Sequence, residues 1–194
     1  MKTIDKVKNI IEKNNGIVYT SELTKNNIPR QFLKELEQSN YIEKVVRGLY
    51  VKKGIQLNEF FVMQQKYKKG IYSHNTALYF YNLTDRTPLK LDLTFPSNIR
   101  LKNELLNVHY IQKSKYELGV AELQLNDGTA IKLYNMERTI CDVIRDRNKI
   151  DSQIFNTALK EYVKHKDKNL IRLYKYAKEF NITEILKKYM EVLI

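Results

Sequence analysis

Apolar residues recur at helical spacing at the start of the chain. Ile4, Val7, Ile10 and Ile11 share one side of Thr3–Asn14, and Asn14-Asn15-Gly16 closes that helix. Ile17–Tyr19 is a short extended run. Thr20 or Ser21 is placed to cap a short helix through Lys25, Asn26-Asn27 makes a turn, and Pro29 falls in the first turn of a second helix reaching about Asn40. Phe32, Leu33 and Leu36 occupy one face of that helix, while Gln31, Lys34, Glu35 and Gln38 occupy the other. Two β-like runs follow, Ile42–Val46 and Leu49–Val51. They meet at Arg47-Gly48, where glycine supplies the positive φ of a tight hairpin. The order helix, strand, helix, helix, hairpin predicts a winged helix-turn-helix over residues 1–54, with Ile17–Tyr19 pairing with the wing.

The pattern then changes. Gln56–Lys69 has helical periodicity, and Ser73 is placed to cap a helix carrying Ala77, Leu78 and Tyr81 inward. Leu91, Leu93 and Phe95 alternate with Asp92 and Thr94, as in a half-buried strand. Val108–Ile111, Val120–Leu125 and Ala130–Tyr134 are further strands, the last two joined by the hairpin signal Asn126-Asp127-Gly128. Asn135 caps Met136–Arg147, with Met136, Ile140, Val143 and Ile144 as its core stripe and Arg138, Asp142 and Arg145 off it. Ser152–His165, Lys168–Phe180 and Thr183–Leu193 complete a helical C-terminal third. The predicted class is α+β: the winged module, then residues 55–194 as a second domain with a small, mostly antiparallel sheet.

Charge sharpens this picture. The 194 residues carry 34 Lys+Arg against 22 Asp+Glu, a net of +12 and a pI near 9.5, which favours a polyanionic partner. Residues 1–54 hold 11 Lys+Arg against 6 Asp+Glu, and residues 55–194 are basic as well. Arginine bonds guanine, glutamine bonds adenine, and lysine reaches guanine or phosphate, so the start of the second helix suits the major groove. Ser21, Arg30, Gln31, Lys34, Gln38, Lys44, Arg47 and Lys52 form the candidate DNA-contacting set, with Lys53 beside them.

One cysteine excludes an intrachain disulfide and a cysteine-rich zinc site. No apolar run approaches a membrane span and the first residues lack a signal-peptide core, so a cytoplasmic location is expected. His74, His109 and His165 are too scattered for a sequence-local metal motif, and no metal or cofactor is expected. Cys141 reads as a buried, inert thiol. A restriction-like nuclease wants an acidic residue before the lysine of its strand, where Ala130-Ile131-Lys132 has alanine. An enzyme is not expected.

Four further stretches carry a family resemblance: Arg47-Gly48-Leu49-Tyr50, Tyr72-Ser73-His74-Asn75-Thr76-Ala77-Leu78, Leu83-Thr84-Asp85-Arg86-Thr87-Pro88, and Glu137-Arg138-Thr139-Ile140-Cys141-Asp142. In order and spacing they resemble the AbiEi antitoxins of bacterial abortive-infection (phage-resistance) toxin–antitoxin systems, across nearly the whole chain. The resemblance implies an N-terminal domain that binds inverted repeats in its own promoter and represses the operon. It implies a second domain that counteracts a nucleotidyltransferase-like toxin in the type IV manner, with no stable complex required. Arg30, Gln31, Lys34 and Arg47 match DNA-reading positions. Ser73, His74, Thr76, Asp85, Arg86, Arg138 and Asp142 match motif positions of the second domain.

Elementary chemistry gives these last residues structural duties: Ser73 as a helix cap, Asp85 and Arg86 as a turn pair, Arg138 with Asp142 as an i,i+4 ion pair of a few tenths of a kcal/mol. The lack of a coiled-coil heptad in the winged module predicts a monomer in solution with two copies on an inverted repeat. Two other readings stay open. One is a plain winged-helix transcription factor whose second domain dimerises or senses a ligand. The other is a winged-helix-fused nuclease depending on Asp92, Glu122 and Asp127.

Overall fold

The computed structural model describes residues 2–193. The architecture is a mixed α+β one, with helices and a small sheet at the N-terminal end and a mostly helical C-terminal region. The chain divides into two compact units, residues 1–68 with 124–129, and residues 69–123 with 130–194. Among the described residues no helix is long and apolar enough to cross a membrane.

The first unit opens with α1 (Thr3–Lys13), whose Val7 and Ile11 are fully buried. The Asp5 carboxylate accepts the Lys2 N–H at 3.1 Å at its start. At its end Gly16 donates to the Ile11 carbonyl at 2.8 Å. Gly16 is at φ +83°, where an L side chain is strained, and a Cβ there would also crowd Lys52 Cβ at 3.3 Å and push Ile55 Cδ1 aside, so glycine suits this stop. Then come β1 (Ile17–Tyr19), α2 (Thr20–Lys25), α3 (Gln31–Gln38), β2 (Ile42–Val46) and β3 (Leu49–Lys52). The sheet order is β1-β3-β2, and Ile17–Tyr19 pairs antiparallel with Leu49–Val51, as the sequence pattern predicts. Val7, Ile11, Val18, Leu23, Ile28, Leu33, Leu36 and Ile42 form its core.

Neither Thr20 nor Ser21 caps α2. Thr20 is itself the first helical residue, its N–H satisfied by the Gly48 carbonyl at 3.0 Å, and the N-cap position falls to Tyr19, whose side chain makes no cap bond. Pro29 lies just outside α3, whose N-cap is Arg30. The helix expected over Gln56–Lys69 is the shorter α4 (Glu59–Lys66), because the Asn58 side chain accepts the Phe60 N–H at 2.9 Å and sets the start.

The second unit contains β4 (Ile71–Tyr72), α5 (His74–Phe80), β5 (Leu91–Pro96), β6 (Leu106–Ile111), α6 (Lys113–Tyr116), β7 (Val120–Gln124), β8 (Ala130–Tyr134), α7 (Met136–Arg145), α8 (Ser152–Lys164), α9 (Leu170–Glu179) and α10 (Thr183–Leu193). The strand order is β6-β5-β4-β8-β7. This sheet is mixed, which corrects the mostly antiparallel expectation: β4 runs antiparallel to β5 but parallel to β8, and β5 runs parallel to β6. The loop over 97–105 carries the chain back to restart β6 in the direction of β5, where a tight turn would have reversed it.

The hydrophobic core gathers on α7 with α5, α8, α9 and α10, through Leu78, Ile140, Val143, Leu159, Leu173 and Leu186 among others. Every residue of α7 from Met136 to Ile144 is buried, so its charged positions do not form a solvated stripe. Helix α7 packs against α5, α8, α9 and α10, and its last residue, Arg145, is the partly exposed one. Its buried charges are answered locally. Glu137 accepts the Asn169 N–H at 3.0 Å and lies 3.4 Å from the Arg172 guanidinium. Burial alone would be costly for these ions, and hydrogen bonding on this scale is what makes it tolerable.

Candidate functional site

Two groups of polar residues stand out, one in each unit. In the first, the amphipathic period of α3 sends Leu33 and Leu36 into the core and leaves Arg30, Lys34 and Gln38 exposed at i, i+4 and i+8 on one stripe. The Arg30 guanidinium is steadied by Thr24 Oγ1, 3.2 Å from Nη2. Gln31 sits to one side, lining a cleft of about 620 Å³ with Thr3, Lys6, Asn9 and Lys13 of α1. Lys44 is exposed on β2, and Arg47 is exposed in the β2–β3 turn beside Gly48 at φ +82°.

Ser21 is exposed on α2. Lys52 is spoken for: its Nζ lies 2.7 Å from the Glu12 carboxylate, which also accepts the Tyr41 hydroxyl at 2.6 Å. The Lys52 and Tyr41 hydrogen bonds hold the Glu12 carboxyl below the usual carboxylate range. Lys53 Nζ donates to Asn40 Oδ1 at 3.1 Å. Among the described residues of the predicted set, the stripe on α3, Lys44 and the exposed turn are therefore the exposed cationic features, and Lys52 belongs to the internal bonding of the unit.

In the second unit, Ser73 precedes α5 in extended conformation but its hydroxyl makes no cap bond. It lies 3.0 Å from His74 Nδ1 and accepts the Thr94 hydroxyl at 2.8 Å, so the expected helix cap is instead part of a buried polar cluster. His74 is 3% exposed and held at φ +44°, a left-handed conformation that costs a non-glycine residue about 1 kcal/mol or more. Thr76 Oγ1 accepts the Asp92 N–H at 2.8 Å. Asp92 and Thr94, expected on a solvated face, are both buried because that face of β5 carries this cluster against α5.

His109, from β6, brings the cluster together. Its ring stacks on that of His74 with centroids 3.6 Å apart and planes 11° from parallel, and its Nε2 lies 2.7 Å from Asp92 Oδ1. Asp146, just past α7, places Oδ2 3.1 Å from His74 Nε2 and 4.0 Å from His109 Nδ1. The His74 hydrogen bond, with help from Lys149, holds the Asp146 carboxyl far below its ordinary range. His74, His109, Thr94, Tyr110, Arg145 and Lys149 line a cleft of about 330 Å³. A family-model scan matches nothing for this chain, and neither does a search of curated proteins.

The remaining predicted residues have structural geometry. Arg86 does not pair with Asp85; it reaches Gln153 and lies 3.7 Å from Asp151 at the start of α8, which draws it away from its sequence neighbour. Arg138 and Asp142 do pair, at 2.9 Å, but at 0% and 2% exposure rather than on the surface. Arg138 Nη1 also donates to the Lys115 and Leu118 carbonyls, and its guanidinium stacks 3.9 Å from the Tyr134 ring centroid. Asp142 takes a second bond from Arg145 at 2.9 Å. A surface pair is worth tenths of a kcal/mol; breaking this one is worth several.

His109, Asp146 and the hydrogen-bonding role of Asp92 escape local sequence reasoning, because the three lie on separate elements with no shared period. One signal was present: Asp92 and Thr94 are polar residues inside an otherwise apolar strand.

Proposed function

We propose that the protein is the repressor and antitoxin of a bacterial abortive-infection toxin–antitoxin pair. In this reading residues 1–54 act as a winged helix-turn-helix on inverted repeats of its own promoter, and residues 55–194 counteract a nucleotidyltransferase-like toxin without a stable complex. The protein works in the cytoplasm as a monomer that places two copies on DNA. The observation that carries the reading is the exposed stripe Arg30, Lys34 and Gln38 on α3, followed directly by a hairpin whose exposed turn bears Arg47. Such a helix sets its first residues on base edges while the hairpin cation meets phosphate. The four AbiEi-like stretches supply the antitoxin half.

The test is a gel shift and footprint of the full chain on the DNA upstream of its own gene, across a salt series. Protection of an inverted repeat is expected, with Arg30→Ala costing about 1–3 kcal/mol and relaxing specificity, and Arg47→Ala weakening binding on all sequences alike. Binding that ignores sequence and falls steeply with salt would reduce the interaction to electrostatics and sink the reading. Relief of toxin-induced growth arrest by both the unmutated chain and Arg30→Ala would show that the antitoxin half acts apart from repression. A plain regulator with a ligand-sensing second domain is the competing reading, favoured by the cleft at His74 and His109. Full operator binding with no relief of the toxin would select it.

A further inference from the structure

We infer that His74, His109 and Asp146 form a binding site for one divalent transition-metal ion of the zinc type, independently of any DNA binding. Their donor atoms all lie within 4.8 Å of one another, contributed by the start of α5, by β6 and by the segment after α7. No two come from the same stretch of sequence.

The second nitrogen of each ring is already occupied in the way a metal site requires. His109 Nε2 lies 2.7 Å from the Asp92 carboxylate, which fixes the proton there and leaves Nδ1 as a lone-pair donor. His74 Nδ1 lies 3.0 Å from the Ser73 hydroxyl, itself held by Thr94, an acceptor for the ring proton once an ion displaces the Nε2–H that donates to Asp146. The His109 Nδ1 and His74 Nε2 nitrogens both face Asp146 Oδ2, at 4.0 and 3.1 Å. A carboxylate or hydroxyl behind each ligating imidazole is the usual support of such sites.

Charge points the same way. Asp92 is 2% exposed, and among the described residues its Oδ2 finds no hydrogen-bond partner, so His109 satisfies only one of its two oxygens. The nearby cations are already paired, Arg145 with Asp142 and Lys149 with Asp146 Oδ1. Asp146 Oδ2 is bonded by His74 and by neither of these cations, and an ion would replace that hydrogen bond with its own bonds to the two atoms. Two imidazoles and one carboxylate suit Zn²⁺ and its neighbours, whereas Mg²⁺ and Ca²⁺ want oxygen throughout.

Lone pairs lie in the ring planes, so an ion about 2 Å from both nitrogens requires planes that converge. The rings now stack nearly parallel. His109, whose side chain is 25% exposed, turns out of the stack as the ion enters, while buried His74 stays fixed. Three protein ligands leave a fourth position towards the cleft that Arg145 and Lys149 line, the arrangement of an open zinc site.

The experiment is a titration of the chelator-stripped full chain with Co²⁺ and then Zn²⁺. One equivalent of Co²⁺ with the intense visible absorption of a four-coordinate site, displaced by Zn²⁺ and not by Mg²⁺, is expected. His109→Gln and Asp146→Asn should each weaken binding by about 100-fold or more and abolish that absorption, and Asp92→Asn by about 10- to 100-fold. His165→Gln should change nothing. In the unmutated chain, Zn²⁺ should move the imidazole ¹⁵N resonances of His74 and His109 and leave those of His165 in place, a readout that needs no variant to fold. Weak binding at several sites, indifferent to His109→Gln, or ¹⁵N shifts at His165 alone would overturn the assignment.

Discussion

The two units use charge in opposite ways. In the first, Arg30, Lys34 and Arg47 stand in water above an apolar cluster that includes Leu33, Leu36 and Ile42. In the second, Arg138, Asp142, Glu137, Asp92 and His74 are each at most 3% exposed and bond inward. An exposed cation can be removed without leaving an unpaired partner behind. A buried one cannot, because its partners have no water to turn to. The first arrangement keeps charge available for another molecule, while the second commits it to the shape of the fold.

The sharpest way to break this contrast is Arg138→Leu. It takes from buried Asp142 one of its two guanidinium partners and from the Lys115 and Leu118 carbonyls their shared donor, and should destabilise the second unit by about 3 kcal/mol, read from urea unfolding. The double change Arg138→Leu with Asp142→Leu should cost less than the sum of the two single ones. Gly119→Ala tests the same packing from the outside. Gly119 is at φ +80°, and an added Cβ would meet Arg138 Cβ at 2.7 Å, so a loss of about 2–3 kcal/mol is expected, with a second-unit melting transition shifted down by several degrees.

Asp127 offers a smaller, pH-dependent effect in the first unit. Despite partial desolvation, bonds from the Thr129 hydroxyl and N–H and from the Asn58 N–H keep its carboxyl below the ordinary value. A folded-state pKa lowered in this way stabilises above the unfolded value, about 3.9, and the contribution is lost as pH falls through the folded one. Asp127→Asn should therefore flatten the acid side of the stability curve below about pH 4 and alter neutral stability by no more than about 1 kcal/mol. Smallest of all is Lys34→Ala, with a stability change within about 0.5 kcal/mol. Its effect belongs in the salt dependence of DNA binding, whose slope should fall by about one. A large loss of stability from Lys34→Ala would erase the distinction between the units.

Legibility in the sequence follows the same divide. Helix α3 and the β1–β3 pairing could be read because their evidence is local: Leu33 and Leu36 at helical spacing, and Gly48 where the chain must reverse. In the second unit, α7 could be located from Asn135 and its apolar stripe, but its burial could not. Glu137, Arg138 and Asp142 look like a wet face until the Lys115 and Leu118 carbonyls, Tyr134 and Asn169 arrive from elsewhere in the chain. Strand β4 has two residues, too few to show any alternation. The His74–His109 stack has no sequence period at all, since loops alone decide which strand lies beside α5. Local pattern reports the elements, and partner choice across long loops decides what chemistry they assemble.

Strand β4 also bears on how the protein reaches its folded state. It is an inner strand of its sheet, holding β5 on one side and β8 on the other through Ile71 and Tyr72 alone. Pairing Tyr72 with Leu133 closes a loop over the whole of residues 72–133, and that chain entropy is lost before any parallel bond compensates for it. The first unit joins its strands within residues 17–52. It should fold first and quickly. The second should follow on a slower phase, in which α7 is already helical before its charged side chains find their partners.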